Sequence, residues 1–296
     1  MLSPEIIARI KSLSLRGRHL ATDVMTGDYA SAFHGRGMEF HEVREYVPGD
    51  DVRGIDWNVT ARMNQPFIKI FREERELTLM LLVDVSTSLS VGVDRPRQLV
   101  AAELASILAW LAIRSNDRVG LLLFGEKIEL YVPPRKGQAH VWRIIKDLLT
   151  WKGTSPGSNI ALALDHLATV VKRRSVCFLV SDFFAVDYAK SLGRLAKQHD
   201  LTCVQMTQDP LDGIISKSGV GISNFVDLET GEFIELDASD KAVQSAIIAH
   251  HETRQRLLER SLRASGADYF AVRSDRSVVE PLADYLRSHG PRRRVR

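Results

Sequence analysis

The chain has 296 residues, of which 45% are hydrophobic and 26% charged, so it is long enough to bury a large core. The 40 basic residues nearly balance the 37 acidic ones, and a net charge of +3 does not indicate a nucleic-acid-binding protein. The sequence shows neither a signal-peptide pattern nor an apolar run of membrane-spanning length, so we expect a cytoplasmic protein without a transmembrane segment. The only cysteines, Cys177 and Cys203, lie in apolar stretches and are expected to be reduced core residues.

A block of interleaved acidic, basic and aromatic residues lies near the start of the chain. It reads G-R-G-M-E-F over residues 35–40, R-E-Y-V-P-G-D-D-V-R over residues 44–53 and I-D-W over residues 55–57. The block has no clean helical period and too few apolar residues for a core of its own. We therefore predict that residues 1–75 form an irregular, salt-bridged arm that packs against the rest of the chain.

The most informative segment follows this arm. Residues 77–83 are almost all apolar and of strand length, which is typical of a strand buried on both faces of a parallel sheet. The motif D-V-S-T-S follows directly and places Asp84, Ser86 and Ser88 at its first, third and fifth positions. Ligands collect at the carboxyl ends of such strands, and hard oxygen atoms favour Mg²⁺ or Mn²⁺ over zinc. The structural alternative is that the two serines cap the helix that follows.

Alternating helices and strands are predicted for the next stretch. We expect a helix from about Arg95 to Ile113, a buried strand over residues 118–124 and a helix over residues 141–149. Residues 127–132 alternate as an edge strand does, and Pro133 and Pro134 are expected to end it.

Two further segments carry oxygen ligands. The sequence G-S-N-I over residues 157–160 opens a helical run and places Ser158 in the preceding loop, although Thr154 is a competing candidate. A second apolar strand over residues 175–180 is followed by a serine and then by Asp182. Together with the D-V-S-T-S loop, the chain therefore offers three strand-end or loop sites that carry oxygen ligands.

The C-terminal third departs from simple alternation. A hairpin is predicted over residues 224–236, then a long helix over residues 242–263 whose alternating charges indicate a solvated face or a partner-docking face. The other predicted elements are helices over residues 187–198 and 278–286 and strands over residues 201–206 and 268–272. The pattern favours an α/β fold with a doubly wound, mostly parallel sheet and helices on both faces. Residues 291–296 form a basic tail that we expect to be disordered.

The three oxygen-bearing segments resemble the von Willebrand factor A domain and its metal-ion-dependent adhesion site. That family uses D-x-S-x-S, a threonine in a second loop and an aspartate after a later strand. Here a serine stands at the threonine position. The resemblance implies an A-like domain over residues 76–290 and one Mg²⁺ or Mn²⁺. The implied ligands are Asp84, Ser86, Ser88, Ser158 and Asp182.

The N-terminal block is similar to that of the bacterial family called domain of unknown function 58, whose members carry G-x-G-x-E-F, R-x-Y-x-x-G-D-D-x-R and I-D-W ahead of an A-like domain. The similarity extends from about residue 10 to residue 288. It implies a protein partner, a MoxR-type AAA+ ATPase, with which the chain acts on a client as an adaptor.

Two functions from different classes are compatible with these features. The first is a metal-dependent protein-interaction module in which the bound cation docks a carboxylate of a partner. The second is a Mg²⁺-dependent hydrolase such as a phosphoesterase. The phosphate-loop, H-E-x-x-H and G-x-S-x-G signatures are missing, and neither lysine nor histidine lies next to Asp84 or Asp182 in the sequence, which favours the non-enzymatic module. Since Asp84 follows a strand, we expect its replacement by alanine to open no core cavity.

Overall fold

A computed structural model describes residues 4–21, 23–33, 38–63, 65–73, 76–87, 96–151, 155, 157–185, 187–208, 222–226, 233–237 and 240–289. Its helices are α1 (Pro4–Leu20), α2 (Asp23–Phe33), α3 (Trp57–Met63), α4 (Arg97–Arg114), α5 (Gln138–Thr150), α6 (Ile160–Val170), α7 (Ala189–Gln198), α8 (Lys241–Ala264) and α9 (Val279–His289). Its strands are β1 (Met38–Glu45), β2 (Phe67–Glu73), β3 (Thr78–Asp84), β4 (Arg118–Phe124), β5 (Ile128–Arg135), β6 (Val176–Ser181), β7 (Asp200–Thr207), β8 (Ile222–Val226), β9 (Phe233–Asp237) and β10 (Asp268–Arg273). No helix in this described part of the chain is long and apolar enough to cross a bilayer.

A six-stranded sheet organises the molecule in the order β10-β7-β6-β3-β4-β5. All neighbours are parallel except β5, which runs antiparallel to β4 at one edge. The predicted α/β class with a doubly wound, mostly parallel sheet is therefore confirmed. The parallel strands are joined by helices that cover both faces, which explains why β3, β4 and β6 are apolar along most of their length.

The central strand β3 divides its side chains between two cores. Leu79, Leu81 and Val83 contribute to a core shared with α1, α2, α4, α5 and α9. Met80 and Leu82 point to the opposite face and pack with residues of α6, α7 and α8. Successive side chains of a strand point to opposite faces, so each face of this buried strand packs against one layer of helices.

The beginning of the chain is not irregular, and in this respect the sequence-based prediction was wrong. Residues 4–33 form α1 and α2, which pack on the main domain through α4, α5 and α9. In α1 the buried positions Ile10 and Leu13 are followed at helical spacing by Gly17, and Ala21 continues the series just beyond the helix. The small residues weaken the apolar periodicity in the sequence, although they permit close contact between helices.

The R-x-Y-x-x-G-D-D segment forms a turn held by a bidentate ion pair. Both terminal nitrogens of the Arg44 guanidinium donate to the Asp50 carboxylate at 2.7 Å, and the amide of Val47 donates to the same carboxylate at 3.0 Å. Gly49 has φ +112°, a conformation that favours glycine. The motif therefore specifies the turn that follows β1.

The I-D-W segment starts a helix. The Asp56 carboxylate accepts hydrogen bonds from the amides of Asn58 at 3.0 Å and Val59 at 3.3 Å, which makes it the N-cap of α3. Lys69 of β2 lies 3.4 Å from the same carboxylate and ties the cap to the strand. The side chain of Trp57 is 70% exposed, so it contributes little to this packing.

One edge feature differs in detail from the prediction. Strand β5 continues through Pro133 and Pro134 to Arg135, although the prolines were expected to end it. An edge strand tolerates proline because its outer side makes no ladder hydrogen bonds. The predicted hairpin is confirmed as the antiparallel pair β8 and β9. The predictions for Ser88, Thr154 and the tail over residues 291–296 lie outside the described residues.

We expect Gly17→Ala to destabilise the protein, because a Cβ atom at Gly17 would lie 2.5 Å from Oγ of Ser106 and 3.3 Å from its backbone carbonyl carbon. Overpacking typically costs about 1–3 kcal/mol, while alanine recovers about 1 kcal/mol of helix propensity. Gly27→Ala is the matched control, because a Cβ atom at Gly27 would have no neighbour within 4 Å among the described residues, and the change should be stabilising. Urea unfolding of the three proteins checks both signs, and equal stability of both variants would contradict close packing of α1 on α4.

Candidate metal site

The carboxylate of Asp84 is completely buried at the carboxyl end of β3. Its Oδ1 atom accepts a hydrogen bond from the amide of Ser86 at 2.9 Å, and its Oδ2 atom accepts one from the hydroxyl of Ser181 at 2.7 Å. The expectation that replacement of Asp84 by alanine opens no core cavity was wrong, because Asp84 is the last residue of β3 and is fully buried, so alanine would leave interior space unfilled. Alanine would leave two buried donors without their acceptor, which typically costs about 1–3 kcal/mol for each group.

The second carboxylate, Asp182, follows β6 and is 3% exposed. Its Oδ1 atom accepts from the amide of Phe184 at 3.2 Å, and the amide of Phe183 donates to the hydroxyl of Ser181 at 3.1 Å. Phe183 has φ +57°, an uncommon value for an aromatic residue. These contacts turn the chain sharply at the end of the strand and fix the direction of the carboxylate.

Both carboxylates lie at the end of the sheet where the parallel strands terminate, because β3 and β6 are parallel neighbours with Val83 paired to Val180. Burial and the nearby negative charge of Asp182 raise the pKa of Asp84 to about 6, although hydrogen bonds from Ser86 and Ser181 oppose the shift. The negative charges of Asp84 and Asp182 are thus concentrated away from water at the carboxyl ends of these strands.

A buried arginine that the sequence analysis missed supplies positive charge to this end of the sheet. Arg97, at the start of α4, has an Nη1 atom 3.4 Å from Oδ2 of Asp182, and the two side chains are 8% and 2% exposed. Burial lowers the pKa of Arg97, and the charges of Asp182 and Asp84 oppose that shift. The guanidinium remains charged because its ordinary pKa is far above neutrality.

The loop before α6 reaches the same region. The amide of Thr87 donates to the carbonyl of Ser155 at 3.0 Å, and the amide of Asn159 donates to the carbonyl of Gly125 at 2.8 Å. The side chain of Asn159 caps α6 by accepting from the amide of Leu162 at 2.9 Å. Ser158 lies half-buried between these anchors, next to the cap.

The structure places four of the five predicted ligands at or near the carboxyl ends of the parallel strands. Asp84, Ser86 and Asp182 are buried at strand ends, Ser158 is on the adjoining loop, and Ser88 lies outside the described residues. Their role as metal ligands stays a prediction. Sequence reasoning passed over Ser181, although its position directly before the candidate aspartate was a usable signal.

The donor chemistry fits a hard divalent cation. Two carboxylates and serine hydroxyls are oxygen donors of the kind that Mg²⁺ and Mn²⁺ prefer. Arg97 already provides one positive charge to Asp182, so the described part of the site carries a net charge of about −1 when both carboxylates are ionised. A cation and the guanidinium would share the same carboxylate, which predicts weak rather than tight binding.

We expect Arg97→Gln to lower the free energy of unfolding by about 3–5 kcal/mol in metal-free buffer, because two buried carboxylates lose their counter-charge. Adding Mg²⁺ should recover part of this loss. Arg194→Gln is the control, since Arg194 forms an exposed ion pair with Asp165 at 3.0 Å and should contribute less than about 1 kcal/mol. Urea unfolding with and without Mg²⁺ checks both variants, and equal stability of Arg97→Gln and wild type would contradict the counter-charge role.

Comparison with solved structures finds A-type domains at low identity. The SpRpn10 VWA domain is 15% identical, with a TM-score of 0.41, and the alignment covers 73% of this chain and 95% of that domain. A von Willebrand factor type A structure from Catenulispora acidiphila is 10% identical, with a TM-score of 0.42, over 75% of this chain and 44% of that one. These scores are low, so the fold assignment depends on the sheet order itself.

Sequence comparison gives a firmer relationship. The uncharacterized protein Rv1480 of Mycobacterium tuberculosis (strain ATCC 25618 / H37Rv) is 30% identical over 296 residues, which cover 98% of this chain and 91% of the relative. The uncharacterized protein Mb1516 of Mycobacterium bovis matches to the same extent. The family model described as "Protein of unknown function DUF58" matches residues 42–257. The chain belongs to this family, as the motifs of its N-terminal block predicted.

Proposed function

We propose that this protein is a non-enzymatic interaction module that docks a partner protein through a divalent cation. The proposed ligands of Mg²⁺ or Mn²⁺ are Asp84, Ser86, Ser88, Ser158 and Asp182. The observation that carries the proposal is the pair of buried carboxylates, Asp84 and Asp182, at one edge of the sheet with serine oxygens beside them. Burying like charges is costly, and a cation site is a physical reason to keep them together.

The residues around the pair hold it in a fixed arrangement. Ser181 and the amide of Ser86 orient the Asp84 carboxylate, while the turn at Phe183 orients Asp182. When bound, the cation would supply an open coordination position for a carboxylate of the partner. The contacts of Asp84 and Asp182 include hydroxyls, backbone amides and a guanidinium, and an arginine does not act as a proton acceptor at neutral pH. These contacts hold the carboxylates in place, as a binding site requires.

The rim of the site supports a protein partner. Phe184, two residues after Asp182, is 39% exposed, and the guanidinium carbon of Arg254 on α8 lies 3.6 Å from the centroid of its ring. Leu162, in the first turn of α6, is also 39% exposed. Aromatic and arginine side chains dominate many binding hot spots. Phe184, Leu162 and Arg254 place an apolar and cationic surface next to the two carboxylates. This position of Arg254 supports the interpretation of α8 as a partner-docking helix.

The proposed partner is a MoxR-type AAA+ ATPase, for which the chain would act as an adaptor toward a client in the cytoplasm. This part of the proposal is supported by membership of the DUF58 family and by the arrangement that the family resemblance implies. A Mg²⁺-dependent phosphoesterase is the competing function, and it would use the same carboxylates.

We expect Mg²⁺ or Mn²⁺ to raise the melting temperature of wild type, because a ligand of the folded state stabilises it by mass action. Asp84→Asn and Asp182→Asn keep the side-chain shape and should each abolish this rise. Asp165→Asn, which removes an exposed carboxylate elsewhere, should leave it unchanged. Calorimetric titration of metal-free protein measures metal binding by wild type and by each variant directly. The absence of saturable binding to wild type at millimolar Mg²⁺ or Mn²⁺ would refute the metal site.

Co-precipitation from the native host tests the docking mechanism. Wild type with Mg²⁺ should capture an ATPase subunit, whereas EDTA or Asp84→Asn should release it. Capture that is unchanged in a folded Asp84→Asn protein shown to have lost Mg²⁺ binding would refute docking through the cation. Turnover of a phosphomonoester or phosphodiester by wild type, lost in the same variant, would favour the hydrolase.

A further inference from the structure

A second cluster of ionisable side chains lies at the opposite end of the sheet. Asp200 is the first residue of β7 and Asp268 is the first residue of β10, and these strands are parallel neighbours. His289 is the last residue of α9 and lies close to both. One ligand atom from each of these three residues fits within 4.8 Å of the others.

The two nitrogen atoms of the His289 ring have different surroundings. Nδ1 lies 2.9 Å from Oδ2 of Asp268 and 3.3 Å from the hydroxyl of Tyr285. Nε2 lies 3.7 Å from Oδ1 of Asp200, which is too long for a hydrogen bond, and has no hydrogen-bond partner among the described residues. The side chain is only 9% exposed, so this nitrogen is a buried polar atom at ion-pair distance from a carboxylate, without a hydrogen bond among the described residues.

This spacing suits two ligands of one cation. With Zn–N and Zn–O bonds of about 2.1 Å, atoms that are 3.7 Å apart subtend an angle of about 120° at the metal. Asp268 accepts from the other ring nitrogen, which is the usual arrangement for a zinc-binding histidine because it directs the free lone pair toward the metal. Asp268 also offers one ligand atom within 4.8 Å of those of the other two residues.

Two further features favour a cation at this position. His289 ends α9, and the carbonyl groups at a helix C-terminus carry partial negative charge. Asp268 and His289, but not Asp200, also line a cavity of about 340 Å³, together with Tyr269, Tyr285 and Ser288, through which an ion or water can reach these two side chains. Arg263 lines the same cavity, and its charge is paired with Glu259 at 2.7 Å.

We propose that Asp200, Asp268 and His289 form a binding site for Zn²⁺ or a similar nitrogen-preferring divalent cation, with water completing the coordination. The imidazole distinguishes this site from the oxygen-only site at Asp84, since nitrogen donors favour Zn²⁺ and Co²⁺ over Mg²⁺. The cation would join the C-terminal end of α9 to the first residues of β7 and β10. The site shares no residue with the proposed docking site and does not depend on it.

The test titrates the full-length Asp84→Asn protein with Co²⁺ and with Zn²⁺. This substitution removes the proposed cation site at Asp84, so any binding that is measured belongs to the second cluster. We expect one Co²⁺ per chain, with the visible absorption of a nitrogen-containing site, and displacement by Zn²⁺. Asp200→Asn and His289→Gln, each added to this background, should weaken binding at least tenfold, by about 1.4 kcal/mol or more. Asp165→Asn serves as the control and should not change it.

Two results would overturn the proposal. One is the absence of saturable Co²⁺ or Zn²⁺ binding to the folded Asp84→Asn protein. The other is binding whose affinity is unchanged by Asp200→Asn, which preserves side-chain shape and therefore remains informative if His289→Gln unfolds. In the first case the histidine serves only to link the two carboxylates at distances of 3.7 and 2.9 Å.

Discussion

The fold is organised around the burial of two like charges at the carboxyl ends of two central strands of a parallel sheet. Asp84 and Asp182 are held apart from water by the strands that precede them, and a charge so placed must be compensated. Ser181 donates to one carboxylate and Arg97 pairs with the other. The left-handed turn at Phe183 is part of the same arrangement, because it directs backbone amides toward these side chains. The surrounding sequence is thus constrained by electrostatics as much as by packing.

Much of the sheet could be predicted because its strands are short apolar runs that end in polar residues. Asp84 and Asp182 were identified by their position directly after such runs, and parallel topology brings strand ends together. Arg97 could not be identified in this way. A charged residue at the start of a helix is usually solvated, and only the packing of α4 against β3 and β4 of the sheet places this guanidinium in the interior.

The N-terminal helices and the second cluster escaped prediction for different reasons. In α1 the contact face contains Gly17 and Ser14, so its hydrophobic period is weak even though the helix is closely packed. Asp200, Asp268 and His289 are separated by long stretches of sequence and belong to no motif. Their proximity depends on strand order and on the length of α9, which local patterns do not specify.

The two edges of the main sheet differ in a way that affects association between molecules. In β5 the residues Pro133 and Pro134 lack amide donors, so a strand from another chain cannot pair along this segment. The opposite edge strand, β10, contains no proline and is bordered by α8 and α9, whose side chains line a groove of about 920 Å³ beside Arg273. Among the described strands, β10 has no neighbour on its outer side. Of the two edge strands it is therefore the one whose residues all carry amide donors, which favours strand addition by an incoming chain at β10 over β5.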